Sequence, residues 1–241
     1  MSLSEDITNA IAGLSDDWTV VQAQTGSTQV ADTDTLVGNK ASSVKATYLY
    51  TDMVDSSGLM AISPRSTVAS VISAFLKCAV RIIRSDDGHI RSFDGDRVMG
   101  VFTGPSRQTR AVKAALKINF AVNTMLNPAI QQKFKSIRES DWDLRQMTGI
   151  ASGDVLLVKV GIRNNNDVLS AGVAPNLAAK LSDLRQSNSH RTIIGKGTYD
   201  ALEPSALYSA AGKNIWSGPF TVDLRKKQYS YYTSNFHRTF K

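Results

Sequence analysis

Residues 48–57 read Tyr-Leu-Tyr-Thr-Asp-Met-Val-Asp-Ser-Ser, and residues 88–102 read Gly-His-Ile-Arg-Ser-Phe-Asp-Gly-Asp-Arg-Val-Met-Gly-Val-Phe. Each begins as an apolar strand and runs to a carboxylate. Asp52 closes the first, and Asp96 sits in the tight turn of a hairpin, since Asp-Gly between strands is a strong hairpin signal. The two lie 44 positions apart (96 − 52), with one long amphipathic helix between them. A strand–helix–hairpin unit brings both carboxylates to one edge of a sheet. Two aspartates beside a loop of small residues suit two divalent ions on a triphosphate. Two-metal sites hold their ions roughly 3.5–4 Å apart and need bridging carboxylates. Mg²⁺ in such sites keeps one or two carboxylates, several waters and the substrate phosphates.

Outward from this unit, the folded core is expected to start near Val44, with Ala46–Val54 as its first strand. Before it, Leu3, Ile7, Ile11 and Leu14 recur at helical spacing. Residues 22–45 turn polar and read as a linker or an arm lying over the domain. The division is therefore an N-terminal helix and arm over 1–43 and a folded domain over 44–241. Ser63-Pro64 is expected to open the helix between the carboxylates, with Ser63 as N-cap and Pro64 at the first helical position. Val68, Val71, Ile72, Phe75, Ala79, Ile82 and Ile83 form its buried stripe, and Asp86-Asp87-Gly88 ends it. Ser106 is expected to cap a second long helix that buries Ala111, Ala115, Ile118, Val122 and Met125, with Asn127-Pro128 as its boundary. Arg145–Ser152 and Val155–Val160 read as a second hairpin turning at Gly153-Asp154. Residues 163–167 read as a polar loop and Val168–Ala171 as a short strand. A third helix opens at Pro175 and runs through Leu177, Ala178, Leu181 and Leu184. His190–Ile194, Gly197–Leu202, Lys213–Ser217 and Gln228–Thr233 complete an α+β pattern. The order β-α-β-β-α-β is the split βαβ, ferredoxin-like palm arrangement with additional helices and strands. Polymerase palms share it with nucleotide cyclases, so the fold alone does not choose a function.

Composition sets outer limits. Of 241 residues, 42% are hydrophobic and 20% charged, enough for a sizeable core. No run of about 18 apolar residues is seen, so no membrane span is expected. The N-terminus lacks the basic and apolar regions of a secretory signal. Cys78 stands alone, which rules out an intrachain disulfide and suits the cytoplasm. The net charge of +7 favours anionic partners. Lys and Arg are scattered, with no run of five. A nucleic-acid module would cluster them beside exposed aromatics, so no nucleic acid is expected. His89, His190 and His237 lack metal-ligand spacing.

Three segments together resemble the class III nucleotidyl cyclases. Tyr50-Thr51-Asp52-Met53-Val54 is similar to the family's Phe-x-Asp-Ile strand end, and Phe93-Asp94-Gly95-Asp96 to its Gly-Asp hairpin. Gly149-Ile150-Ala151-Ser152-Gly153, then Gly172 through Asn176 to Lys180 and Leu181, resemble its Gly-Ile-His-Ser-Gly strand and Gly-x-x-Val-Asn-x-Ala-x-Arg-Leu helix. The resemblance implies that Asp52 and Asp96 hold two divalent cations, Mn²⁺ or Mg²⁺. One lowers the pKa of the ribose 3′-OH, and the other neutralises the triphosphate and the leaving pyrophosphate. Backbone N–H groups from Met53 to Gly58, with Val54, Asp55, Ser56 and Ser57 between, cradle phosphate oxygens. Asn176 orients the ribose and Lys180 stabilises charge at the α-phosphate. Both share one helix face, which in the family serves the partner subunit's site, so a homodimer is implied. Arg225, Lys226 or Lys227 holds the terminal phosphates, and Arg225 aligns best.

The departures are informative. Lys180 replaces an Arg, a point charge in place of a bidentate fork. Asp55-Ser56-Ser57 replaces Gly-Phe-Thr, and Ala151 replaces His. Ser92 and Leu169 occupy the positions where purine-specific members have Lys and an Asp or Thr. Neither makes the purine contacts, and Tyr50 in place of Phe narrows the pocket. A small, neutral pocket suits a pyrimidine. The pattern is similar to the bacterial pyrimidine cyclases of Pycsar-type antiphage defence, the uridylate cyclases in particular. That implies UTP as substrate, cyclic UMP as second messenger and a separate effector protein that reads it. Cytidylate, adenylate or guanylate cyclases and a catalytically silent nucleotide-binding homologue are the alternatives.

Overall fold

The computed structural model describes residues 2–12, 17–162, 164–184 and 191–240. The chain runs α1 (Leu3–Ala12), β1 (Thr19–Gln22), β2 (Lys40–Val54), α2 (Ser56–Ile62), α3 (Arg65–Ser85), β3 (His89–Asp94), β4 (Arg97–Phe102) and α4 (Arg107–Ala121). It continues through a π-helical turn (Val122–Leu126) into α5 (Asn127–Lys133), α6 (Lys135–Arg138), β5 (Arg145–Ile162) and β6 (Asn165–Ala171). Then come α7 (Val173–Ser182), β7 (Thr192–Gly195), α8 (Lys196–Tyr199), α9 (Pro204–Leu207), β8 (Ser217–Leu224) and β9 (Lys227–Ser234). The strands join one mixed sheet in the order β3-β4-β2-β5-β7-β9-β8, with β1 added to β2 and β6 to β5. This is the expected α+β architecture.

The sheet separates two cores. On one face Phe75, Ala79 and Ile83 of α3 meet Ala111, Ala115 and Ile118 of α4 over Leu49 and Phe102. On the other, Leu177, Ala178 and Leu181 of α7 cover Tyr48, Val101 and Ala151. A helix seats this closely only where its contact residue is small. A Cβ on Gly149 would lie 2.1 Å from the Ala178 carbonyl oxygen and 2.4 Å from the Ser182 nitrogen, so β5 needs glycine at the crossing.

β2 begins at Lys40, and β1 pairs with it in parallel from Thr19↔Lys40 to Gln22↔Ser43. Between them, Leu36 is buried. The Thr28 carbonyl accepts from Thr103 Oγ1 and binds the His89 ring, each at 2.8 Å. The Thr33 carbonyl accepts from Lys159 Nζ at 3.0 Å. The arm thus lies against the sheet, while α1 buries no residue. Leu14, Arg163 and His190, assigned above to a helix, a loop and a strand, fall outside the described residues.

Four local expectations are corrected. Ser63 does not cap α3: it closes a short helix, α2, and its hydroxyl pairs with Ser136 Oγ at 2.8 Å. Pro64 is the N-cap residue of α3. Ser106 stands at the start of α4 in a left-handed conformation (φ 52°) without capping it; its hydroxyl donates to Glu203. Asn127-Pro128 does not end the helical run, which passes through the π-turn into α5, and Met125 is exposed. Gly153-Asp154 is no turn. Gly153 pairs with Ala46 and Asp154 with Lys45, so β5 is one 18-residue strand. The pairing of β5 with β6 extends to Ile162↔Asn165, so Asn165–Asp167 belong to β6. Finally, α3 is apolar enough for its length to cross a bilayer, with a mean hydropathy of 1.6 in its most apolar window. Its face of Val71, Phe75, Ala79 and Ile83 is fully buried in the protein, as in a core helix.

Candidate active site

β2 carries Asp52 to the sheet's edge, level with Arg97 on β4 and Met147 on β5. Asp52 is almost fully covered, at 5% exposure. Arg97 Nη2 donates to Asp52 Oδ2 at 3.1 Å and to Asp183 Oδ1 at 2.9 Å. Burial alone would pull the Arg97 guanidinium down, but the charges and hydrogen bonds of Asp52 and Asp183 outweigh it and hold it above its usual value. Asp96 lies in the two-residue turn between Asp94 and Arg97, where Gly95 takes φ 60°. The two carboxylates line one cavity of about 420 Å³ with Met53, Asp55, Ser56, Ser57, Asp94, Gly95 and Arg97. Strand end, hairpin turn and the loop into α2 therefore converge as the sequence suggested. Val54 is the last residue of β2, paired with Arg145, and does not line the cavity.

Asp55 adopts a left-handed conformation (φ 61°), and its Oδ1 accepts from the Gly58 nitrogen at 3.1 Å. That N–H, expected to meet phosphate, is taken by the chain's own carboxylate. Trp142 Nε1 fixes the same turn by donating to the Asp55 carbonyl at 3.0 Å.

Hard carboxylate oxygens suit Mg²⁺ or Mn²⁺. Among the described residues no three His, Cys, Asp or Glu side chains gather closely enough to hold an ion by themselves. Two carboxylates that leave room for water and phosphate oxygens match that donor set. Four aspartates line the cavity against the single guanidinium of Arg97, which already draws one cation to Asp52. The residues present fit a divalent ion that arrives with a triphosphate.

Asn176 and Lys180 lie elsewhere. Both are exposed on α7, opposite the face that packs on β5. Asn176 Nδ2 donates back to the Gly172 carbonyl at 3.3 Å, and Lys180 makes no ion pair among the described residues. Neither lines the Asp52–Asp96 cavity. Arg225 sits with Lys226 at the tip of the β8–β9 hairpin, both at positive φ, on the sheet's opposite edge. Tyr50, Met99 and Ser92 stand level across three strands. Burial raises the Tyr50 phenol, partly offset by the Arg97 charge. Leu169 is exposed on β6.

Three participants were not anticipated. Arg97 and Asp183 are the first two. The hairpin register places Arg97 level with Asp52, so that signal was legible; Asp183 gave none. The third is Arg91, which adjoins an irregularity between Ile90 and Ser92. Its Nη2 donates to Asp167 Oδ1 and the Val168 carbonyl, each at 2.7 Å. This ties the strand of Ser92 to the strand of Leu169.

No protein-family model matches the chain. A uridylate cyclase from Rhodovulum sp. (strain MB263) is 36% identical over 201 residues, 83% of this chain and 82% of that protein. A second, from Burkholderia cepacia, is 38% identical over 78% of this chain and 80% of the relative. The chain belongs to the uridylate cyclase family. Among solved structures, a bacterial light-regulated adenylyl cyclase matches 83% of the chain and 54% of its own, with a TM-score of 0.66 at 18% identity. The adenylyl cyclase CyaB from P. aeruginosa matches 80% of the chain and 95% of its own, with a TM-score of 0.63 at 19% identity. These likenesses establish the class III cyclase fold for this uridylate cyclase homologue.

Proposed function

We propose that this protein converts UTP to 3′,5′-cyclic UMP and pyrophosphate at sites shared between two copies of the chain. The carrying observation is the convergence of Asp52 and Asp96 on one cavity in a member of the uridylate cyclase family. The ribose 3′-oxygen forms a bond to the α-phosphorus as the bond to the β-phosphate's bridging oxygen breaks. The 3′-OH proton passes to solvent. Asp52 and Asp96 would hold two divalent cations, which when bound would acidify the 3′-OH and neutralise the triphosphate. Met53 to Ser57 border the phosphates. Asp55 already fills one N–H of this loop, so fewer of its donors are open to phosphate than the resemblance implies. Asn176 and Lys180 enter from the second copy, orienting the ribose and stabilising charge at the α-phosphate. Arg225, Lys226 or Lys227 holds the terminal phosphates, with Arg225 aligning best.

Ser92, Leu169 and Tyr50 support a pyrimidine. None supplies the charged pair that a purine needs, and Tyr50 adds bulk level with Ser92. The likeness to Pycsar-type cyclases supports a cytoplasmic second messenger in antiphage defence, read by a separate effector. The deciding assay offers purified protein each of the four ribonucleoside triphosphates with Mn²⁺ and detects cyclic monophosphates by mass. Cyclic UMP as the main product is expected. A preference for ATP or GTP would overturn the pocket reading, and no cyclic product from any triphosphate would overturn the enzyme.

A further inference from the structure

Arg97 occupies a position that a metal-binding aspartate does not obviously need. Its guanidinium sits 3.1 Å from Asp52 Oδ2 and 2.9 Å from Asp183 Oδ1. Of the two acceptors, Asp52 is nearly buried, while the Asp183 side chain is half exposed. Asp183 directly follows α7, the helix that carries Asn176 and Lys180. A buried carboxylate without a counter-charge is costly. A divalent ion and a guanidinium on one carboxylate repel each other, so each weakens the other's hold by the same factor.

We propose that Arg97 is an internal counter-ion that holds Asp52 before metal binds and yields it to the divalent cation, with Asp183 as the carboxylate that keeps Arg97 when it yields. This rests on the reading of Asp52 as a metal ligand. Arg97 is thereby a positioning residue. It sets the affinity of the nucleotide-free site and favours metal that arrives bound to triphosphate, whose negative charge offsets the guanidinium. Asp183 gives Arg97 a second partner and lowers the cost of releasing Asp52.

The two residues therefore act on metal affinity with opposite sign. Mn²⁺ is titrated into nucleotide-free protein, and free Mn²⁺ is followed by electron paramagnetic resonance. Arg97→Gln is expected to tighten binding about tenfold, within the usual range for coupled ligands. Asp183→Asn is expected to weaken it several-fold. Arg97→Lys keeps the charge and is expected to stay nearer the parent protein than Arg97→Gln. Circular dichroism checks that each variant is folded, and Asp183→Asn tests the idea independently should Arg97→Gln fail to fold. Equal or weaker binding in folded Arg97→Gln, or unchanged binding in Asp183→Asn, overturns the inference while leaving Asp52 a ligand. If Asp52→Asn binds Mn²⁺ as the parent does, the metal reading itself falls and takes this inference with it.

Discussion

The two halves of the proposed site are built to different standards. The Asp52–Asp96 half is finished within one chain. Asp52 is buried and cross-braced by Arg97, Asp96 is fixed by a two-residue turn, and the adjoining loop is pinned by Trp142 and by Asp55's own cap. The Asn176–Lys180 half is a bare helix face. Its side chains point away from β5, and Lys180 has no ion-pair partner among the described residues. Preorganised groups act without a reorganisation cost at the moment of reaction. A bare polar face can be equally effective only if something completes it. The second half lacks a facing surface, and in the proposed function a second copy of the chain supplies it.

The largest effect tests this division directly. Asp52→Asn and Asp96→Asn are each expected to lower turnover by about 10³-fold or more, with the fold kept. Asn176→Ala is expected to be nearly as inactive. Mixed in equal amounts with exchange of subunits, Asp52→Asn and Asn176→Ala chains form heterodimers in which one site carries both lesions and the other none. About a quarter of the parental activity should return, since half the dimers are mixed and half their sites intact. A mixture that exchanges yet stays silent would mean Asn176 does not act across an interface.

How much of this was legible follows the range of the forces involved. β2 and the β3–β4 hairpin were readable because strand alternation and the Asp-Gly turn are local signals. The buried stripe of α3 was readable for the same reason. α2 was missed because a seven-residue helix containing Ser56, Ser57 and Gly58 has little intrinsic propensity. Asp55 and the burial of Leu59 hold it instead. The false turn at Gly153-Asp154 shows the opposite case: turn-forming residues were overridden because β2 pairs with β5 from Ala41↔Val158 to Val54↔Arg145. The convergence of Asp52 and Asp96 was visible because they lie at the ends of locally readable elements. The Arg97–Asp183 pair joins positions 86 apart, and only the tertiary fold shows it.

The next effect breaks the seating of the bare half. Gly149→Ala puts a Cβ against backbone atoms of α7 on both sides, and backbone cannot rotate away as a side chain can. A loss of about 3 kcal/mol in stability is expected by urea denaturation, with cyclase activity falling as α7 shifts. Mn²⁺ affinity at Asp52 and Asp96 should change far less in the protein that remains folded. An unchanged denaturation midpoint would show that α7 adjusts freely.

A smaller change sharpens the same face. Lys180→Arg replaces a point charge by a planar fork able to grip two phosphate oxygens. Steady-state kinetics are expected to show kcat rising by about three- to tenfold, with KM little altered, because the contact strengthens as charge develops in the transition state. A fall in kcat would mean the pocket is shaped for the narrower lysine.

The smallest effect lies in the core beneath α7, where packing is tight but not every polar group is satisfied. Tyr48 is fully buried, and burial raises its phenol, with the Ser170 hydroxyl and the Arg91 charge pulling the other way. Ser170 lies close enough to act on it, yet neither oxygen finds a partner at hydrogen-bonding geometry. A buried donor left unmade costs roughly 1–3 kcal/mol, and replacing it by an apolar group of the same shape returns part of that. Tyr48→Phe is therefore expected to stabilise the protein by up to about 1 kcal/mol. For a chain of this length that is a rise in Tm of about 2–4 °C, measurable by differential scanning calorimetry. A lower Tm would mean that the hydroxyl is bonded in solution, with Ser170 its nearest candidate, and that the core beneath α7 holds together through one more contact than its geometry displays.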